Sequence, residues 1–136
     1  MGAHAMSFRF DHAAQQVPDI AEAVAWYRET LPGTTVLYQD ATWALVEANG
    51  VRIAFVVKDQ HPGHLAWRVD EAEMERLAEK YNKEIRPHRD GTRSFYLEAP
   101  GGQSLEIICT VGSAYEKLVA GSEVARSVPG HGSSSE

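Results

Sequence analysis

His12, His64 and Glu106 are the residues of this chain whose types and spacing could do chemistry. The two histidines stand 52 residues apart, and each opens a stretch that reaches a valine five residues on, Val17 and Val69. Glu106 interrupts the apolar run "SLEII" and follows Ala54 by the same 52 residues. Two neutral imidazoles and one carboxylate suit a divalent cation and leave coordination positions open to a substrate. A closed structural site would take four protein ligands instead. The bland reading of a strand histidine is a hydrogen-bonded group of the partial core. A lone glutamate on an apolar strand is harder to dismiss, because burying it unpaired is costly. One cation would compensate all three groups at once.

The elements that must position these groups read as a repeat. In "FDHAAQQVPDIAEAVAWYRETLPG" (10–33) a weakly alternating strand gives way at Pro18-Asp19 to a helix. Asp19 can cap it, Ile20, Val24, Tyr27 and Leu31 form its apolar stripe, and Pro32-Gly33 ends it. In "GHLAWRVDEAEMERLAEKYNKE" (63–84) Leu65, Trp67 and Val69 alternate as a half-buried strand. Asp70 and Glu73 then form the pattern of a capping box, ahead of a stripe of Met74, Leu77, Ala78 and Tyr81. Each unit closes with a hairpin, "ALVEANGVRIAFVV" (44–57) and "FYLEAPGGQSLEII" (95–108). "TTVLYQD" (34–40) and "KEIRPHRD" (83–90) supply the remaining strands. The fold class is therefore α+β, with two βαβββ modules in tandem at 8–62 and 63–112.

Strand residues alternate faces. If Leu65, Trp67 and Val69 meet the helix, His64, Ala66 and Arg68 face the other way, and by the repeat so do His12, Ala14 and Gln16. Leu105 and Ile107 take the helix side, which turns Ser104, Glu106 and Ile108 away from it. Cys109 has the parity of Leu105 and reads as a small buried hydrophobe. Gln16, Arg68, Tyr96 and Ser104 are the candidate substrate contacts, and Glu106 is also the catalytic candidate. Trp26, Trp43 and Trp67 fit core or cavity lining. His88 reads as part of a solvated loop with Arg86, Arg89 and Asp90.

A chain of 136 residues, with a net charge of −6 and 43% hydrophobic residues, suits one globular unit with a real core. Clustered basic stripes are absent, which argues against nucleic acid as a partner. No apolar run approaches the length of a membrane helix, and no leader pattern opens the chain. With Cys109 as the single cysteine, no internal disulfide can form and a cytoplasmic location is expected. Residues 1–7 read as a disordered or tag-derived start, and 113–136 as a short helix and a flexible tail. His4 and His131 lie in those ends and receive no metal role.

Paired βαβββ units, a histidine on the first strand of each and a glutamate on the last strand resemble the vicinal oxygen chelate superfamily. It includes glyoxalase I, bleomycin-sequestering proteins, extradiol dioxygenases, fosfomycin-resistance thiol transferases and methylmalonyl-CoA epimerase. "FYLEAPGGQSLEII" is similar to the family's F-x-D-P-x-G-x-x-x-E-[IL] ending, with "LEAPGG" where "xDPDG" is common. The resemblance implies curved mixed sheets around a cavity, and His12, His64 and Glu106 as ligands of one divalent ion per chain (Fe, Mn, Ni or Zn). Ala54 stands where glyoxalase I carries a further carboxylate. Ala14 stands where the fosfomycin enzymes carry threonine. His88 and Tyr96 match by type the assisting groups of extradiol enzymes, and Glu47 matches an epimerase base.

The expected function is a metal-dependent enzyme acting on a small molecule chelated through neighbouring oxygens: a glyoxalase-like lyase or isomerase, a ring-cleaving dioxygenase (an oxidoreductase) or a thiol transferase. The alternative is a metal-free small-molecule-binding or drug-sequestering protein of the bleomycin-resistance type. A structural dimer without ligand is the third reading. The resemblance and the exposed sheet edges both point to a homodimer whose site two chains could share.

Overall fold

The computed structural model describes residues 8–127, and side chains for 8–120. The two ends read from sequence as disordered, with His4 and His131, lie largely or wholly outside these residues. The first module runs β1 (Arg9–Val17), α1 (Ile20–Thr30), β2 (Thr35–Gln39), β3 (Trp43–Ala48) and β4 (Val51–Val57). The second runs β5 (His64–Arg68), α2 (Glu71–Tyr81), β6 (Arg86–Pro87), β7 (Arg93–Ala99) and β8 (Gln103–Cys109), and α3 (Ala114–Ser127) follows. All eight strands join one open mixed sheet in the order β2-β3-β4-β1-β5-β8-β7-β6.

Local chemistry sets the helix starts. The Asp19 side chain accepts from the Glu22 amide at 2.9 Å, and Asp70 accepts from the Glu73 amide at 2.8 Å. Each satisfies one of the free amides of a first helical turn. The capping box expected at α2 is half made: Glu73 turns to Arg76, at 2.5 Å from its Nη2. Asn82 ends α2 in the left-handed region, with φ at 55°. Asn49 and Gly50 both have positive φ, as the tight β3–β4 hairpin demands.

The strand register makes the repeat explicit. In β1 and β5, Ala13 pairs with Leu65, and His12–Ala66 and Ala14–His64 flank that pair symmetrically. A pseudo-twofold axis thus passes between β1 and β5, through residues 52 apart. Across the parallel ladders Ala14 pairs with Ala54, and Ala66 pairs with Glu106.

On the helix side the sheet carries two cores. Ile20, Val24, Ala44, Val46 and Phe55 pack beneath α1, while Val69, Met74, Leu77, Ala78, Phe95, Ile107 and Cys109 pack beneath α2. Burying each large apolar side chain is worth roughly 1.5–3 kcal/mol. On the opposite face Tyr115 and Val119 of α3 cover Ala14, Leu45 and Ala54. Alternation therefore serves both faces of β3 and β4.

Three expectations are corrected. Leu65 does not meet a helix and is 49% exposed. The reason is that α1 packs mainly on β2, β3 and β4 and α2 on β8, which leaves Leu65 at the centre of the sheet without a helix over it. Trp26 lies on α1 at 59% exposure, outside the core and away from the cavity that holds His12, His64 and Glu106. The strand read over 83–90 shrinks to Arg86–Pro87, a short edge strand in which a proline is tolerated.

Candidate metal centre

His12 lies on β1, His64 opens β5 and Glu106 is central in β8, so the three sit on neighbouring strands of one sheet. One donor atom from each falls within 4.8 Å of the other two. Glu106 Oε1 lies 3.0 Å from His64 Nε2 and 3.7 Å from His12 Nε2. All three residues are buried, and all belong to one chain.

The other ring nitrogen of each histidine is already committed. His12 Nδ1 is 2.7 Å from Asp11 Oδ2, and His64 Nδ1 is 2.7 Å from the Pro62 carbonyl. Both partners are acceptors, so each Nδ1 carries the proton and each Nε2 turns a lone pair toward Glu106. His64 Nε2 is buried and makes no hydrogen bond of acceptable geometry. Two lone pairs and a carboxylate crowded together out of water repel one another, and a cation between them removes the conflict. The donor set therefore fits a divalent ion. Burial alone would raise the Glu106 carboxyl, but with His64 and His12 protonated their hydrogen bond and positive charge outweigh it and hold the group below its usual range, and a divalent ion would take the place of those protons.

Asp11 was missed by the alternation rule. A bulge between Phe10 and His12 turns the neighbours Asp11 and His12 both inward. Asp11 Oδ2 also accepts from the Tyr115 hydroxyl, and Oδ1 lies 3.4 Å from Arg68 Nε and 3.5 Å from Arg52 Nη2. Arg52 Nε donates to the Asp11 carbonyl at 3.1 Å. Burial pushes the Asp11 carboxyl up, yet the bonds from His12 and Tyr115 and the Arg52 charge carry it below its ordinary value.

The donors open into a cavity of about 690 Å3. Ala14, Trp43, Ala54 and Val56 of the first module and Leu118 of α3 form its apolar lining, and Tyr38, Asp40 and Gln60 add polar groups. His61 of the inter-module loop and His88, Thr92 and Tyr96 of the second module line it as well. Tyr96 stacks its ring edge-on to His64 at 5.2 Å, and its hydroxyl is 3.3 Å from His61 Nδ1. Burial, reinforced by the Glu106 charge, pushes the Tyr96 hydroxyl up, so it stays protonated. His88, expected in solvent, is half-buried here, with Nε2 2.8 Å from Ser94 Oγ.

The remaining sequence candidates are dispersed. Gln16 is exposed and pins the inter-module loop by donating to the His61 carbonyl at 2.8 Å. Arg68 faces Asp11 behind His12. Ser104 pairs with His64 along the β5–β8 ladder and is half-buried. None of these three is among the residues lining the cavity. Glu47 is half-buried near the end of β3.

Residues 9–107 match the Glyoxalase/Bleomycin resistance protein/Dioxygenase superfamily. The chain belongs to that superfamily. Several solved structures share this superfamily fold. A superfamily member from Vibrio splendidus 12B01 is 15% identical, with a TM-score of 0.56 over 76% of this chain and 98% of that one. Methylmalonyl-CoA epimerase from Streptomyces coelicolor is 16% identical, with a TM-score of 0.57 over 77% and 96%. A variant of homoprotocatechuate 2,3-dioxygenase from Brevibacterium fuscum is 19% identical, with a TM-score of 0.56 over 74% of this chain and 32% of that one. No curated protein sequence matches the chain. At these identities the superfamily likeness establishes the fold, and the chemistry has to be argued from the site. No helix among the described residues is long and apolar enough to cross a membrane.

Proposed function

We propose that the chain is a divalent-metal-dependent enzyme acting on a small molecule that chelates the ion through two neighbouring oxygens. One observation carries this reading: His12 Nε2, His64 Nε2 and a Glu106 oxygen converge, with both Nδ1 atoms already engaged elsewhere. A bound ion would act as a Lewis acid on the chelated oxygens. Ions compatible with this mixed donor set include Fe, Mn, Ni and Zn. The apolar wall formed by Trp43, Val56 and Leu118 would hold the carbon skeleton of the substrate and exclude water. Tyr96 is the substrate contact that lines the cavity, and its protonated hydroxyl can donate to a substrate oxygen.

Ala54 leaves the first module without a carboxylate at the place equivalent to Glu106, which favours three-ligand chemistry of the ring-cleaving or thiol-transfer kind over glyoxalase-type isomerisation. A metal-free sequestering protein is the rival reading. It has use for the cavity but none for the opposed lone pairs and carboxylate at its base. A homodimer remains part of the proposal, although one chain supplies all three donors.

Elemental analysis of protein purified without chelator tests the reading. About one divalent ion per chain is expected, with sharp loss in His12→Ala, His64→Ala and Glu106→Gln. Metal content unchanged in all three variants would move the site elsewhere. A metal-free protein that still binds a bleomycin-type drug would establish the rival.

A further inference from the structure

We infer that the C-terminal helix α3 belongs to the support of the metal centre: the Tyr115 hydroxyl holds the Asp11 carboxylate against His12 Nδ1, so that helix docking and ion capture favour one another. The inference rests on the metal reading above and gives a role to Tyr115, which lies beyond the segment matched to the superfamily, residues 9–107.

The two histidines are supported differently. His64 Nδ1 is served by the Pro62 carbonyl, two residues away in its own loop. His12 Nδ1 is served by a carboxylate that is itself held from a distance: Tyr115 lies 104 residues from Asp11. Hydrogen bonding to a carboxylate fixes the imidazole tautomer and raises the basicity of the opposite nitrogen. Whatever holds Asp11 in place therefore acts on His12 Nε2.

The start of α3 is built to deliver that hydroxyl. Ser113 Oγ accepts from the Glu116 amide at 2.9 Å, while Glu116 Oε1 accepts from the Gly112 amide at 2.8 Å, a reciprocal cap close to a capping box. The Ala114 amide donates to the Asp90 carbonyl at 2.9 Å, which ties the helix start to the second module. That approach needs a glycine at 91, where an added Cβ would meet Ser113 Cα at 3.1 Å. From this anchor Val119 and Tyr115 pack on Ala14, Leu45 and Ala54 of the first module. Tyr115 is 4% exposed and Asp11 1%, so solvent cannot replace the bond between them. Ordering His12 for the ion and seating the helix thus share the Tyr115 hydroxyl, which bonds Asp11 and lies 3.3 Å from His12 Nδ1, and linkage makes the coupling reciprocal.

Hydrogen exchange and Co(II) binding on the full-length chain test this. In the wild type, Co(II) should slow amide exchange in peptides covering α3. Tyr115→Phe keeps the packed ring and removes only the hydroxyl. It should weaken Co(II) binding about tenfold, the lower end for outer partners of metal ligands, and should reduce the slowing of α3. Exchange of α3 that is identical with and without bound Co(II) would overturn the inference without any variant. Tyr115→Phe binding Co(II) within about twofold of wild type would do the same. Wild-type protein that takes up no Co(II) would instead sink the metal reading, and this inference with it.

Discussion

Ala54 and Glu106 occupy equivalent places in the two halves of the sheet, one opposite Ala14 across β1–β4 and the other opposite Ala66 across β5–β8. Both line the same cavity. The hairpin registers explain how the equivalence survives an extra residue: the Pro100–Gly102 turn replaces Asn49-Gly50 and shifts β7 by one against β3. Ala54→Glu should therefore offer the ion a fourth protein ligand. The new carboxylate would enter a patch of Ala14, Leu45, Tyr115 and Val119, so the metal-free variant should lose roughly 1–3 kcal/mol of stability. Added Co(II) should restore that loss and alter its ligand-field spectrum. An unchanged spectrum would mean that Ala54 does not look at the ion.

Asp11→Asn keeps an acceptor for His12 Nδ1 but removes the negative charge that Arg52 and Arg68 face. Metal affinity should fall about 10- to 100-fold. Loss of charged hydrogen bonds in a buried cluster should lower stability by about 1.5–3 kcal/mol. Chelator-buffered Zn(II) isotherms read the first effect and urea unfolding reads the second. Wild-type affinity in the variant would confine Asp11 to a purely structural role.

How much of this was legible in sequence follows from how local each cause is. Asp19 and Asp70 could be read as caps because a cap needs only its own next three residues. His12, His64 and Glu106 could be grouped because one offset fixed their register, and the ladders reproduce it. Asp11 could not, since alternation sends neighbours to opposite faces and a bulge leaves no residue signature. Tyr115 lay further out of reach, in a helix whose hydrogen-bond partner Asp11 is 104 residues away. Leu65 misled for a related reason: alternation assigns faces but does not say where a helix stops covering them. His61 and His88 reach the cavity from loops, where periodicity carries no information.

His61 should titrate below the ordinary histidine value of 6.5. Burial disfavours its imidazolium, and His88 and His64 act in the same direction. The Glu106 and Asp90 carboxylates oppose this without overcoming it, and the Tyr96 hydroxyl faces Nδ1. The folded state therefore prefers the neutral ring, while the unfolded chain takes up the proton first. The stabilisation from this group is complete above about pH 6.5 and is lost as pH falls through the folded value. Ring-proton NMR across this range, with His61→Gln to assign the signal, should give a midpoint under 6.5. A midpoint at or above 6.5 would show that the carboxylates win.

The placement of β1 beside β5 decides whether two chains must cooperate. These strands pair antiparallel within one chain, and that pairing brings His12 to His64, with ring centroids 5.5 Å apart. Glu106 arrives on the adjoining β8 of the same chain. None of these three donors needs to come from a partner. A dimer of such chains would carry two self-contained centres. Co-refolded His12→Ala and Glu106→Gln chains should then bind no more metal than either variant alone, because every pocket keeps one damaged ligand. Light scattering on the same sample checks that dimers form and mix. If the mixed dimers regained metal in one pocket of the two, β1 would have to be exchanged between chains, and the pairing of Ala13 with Leu65 would be intermolecular in solution.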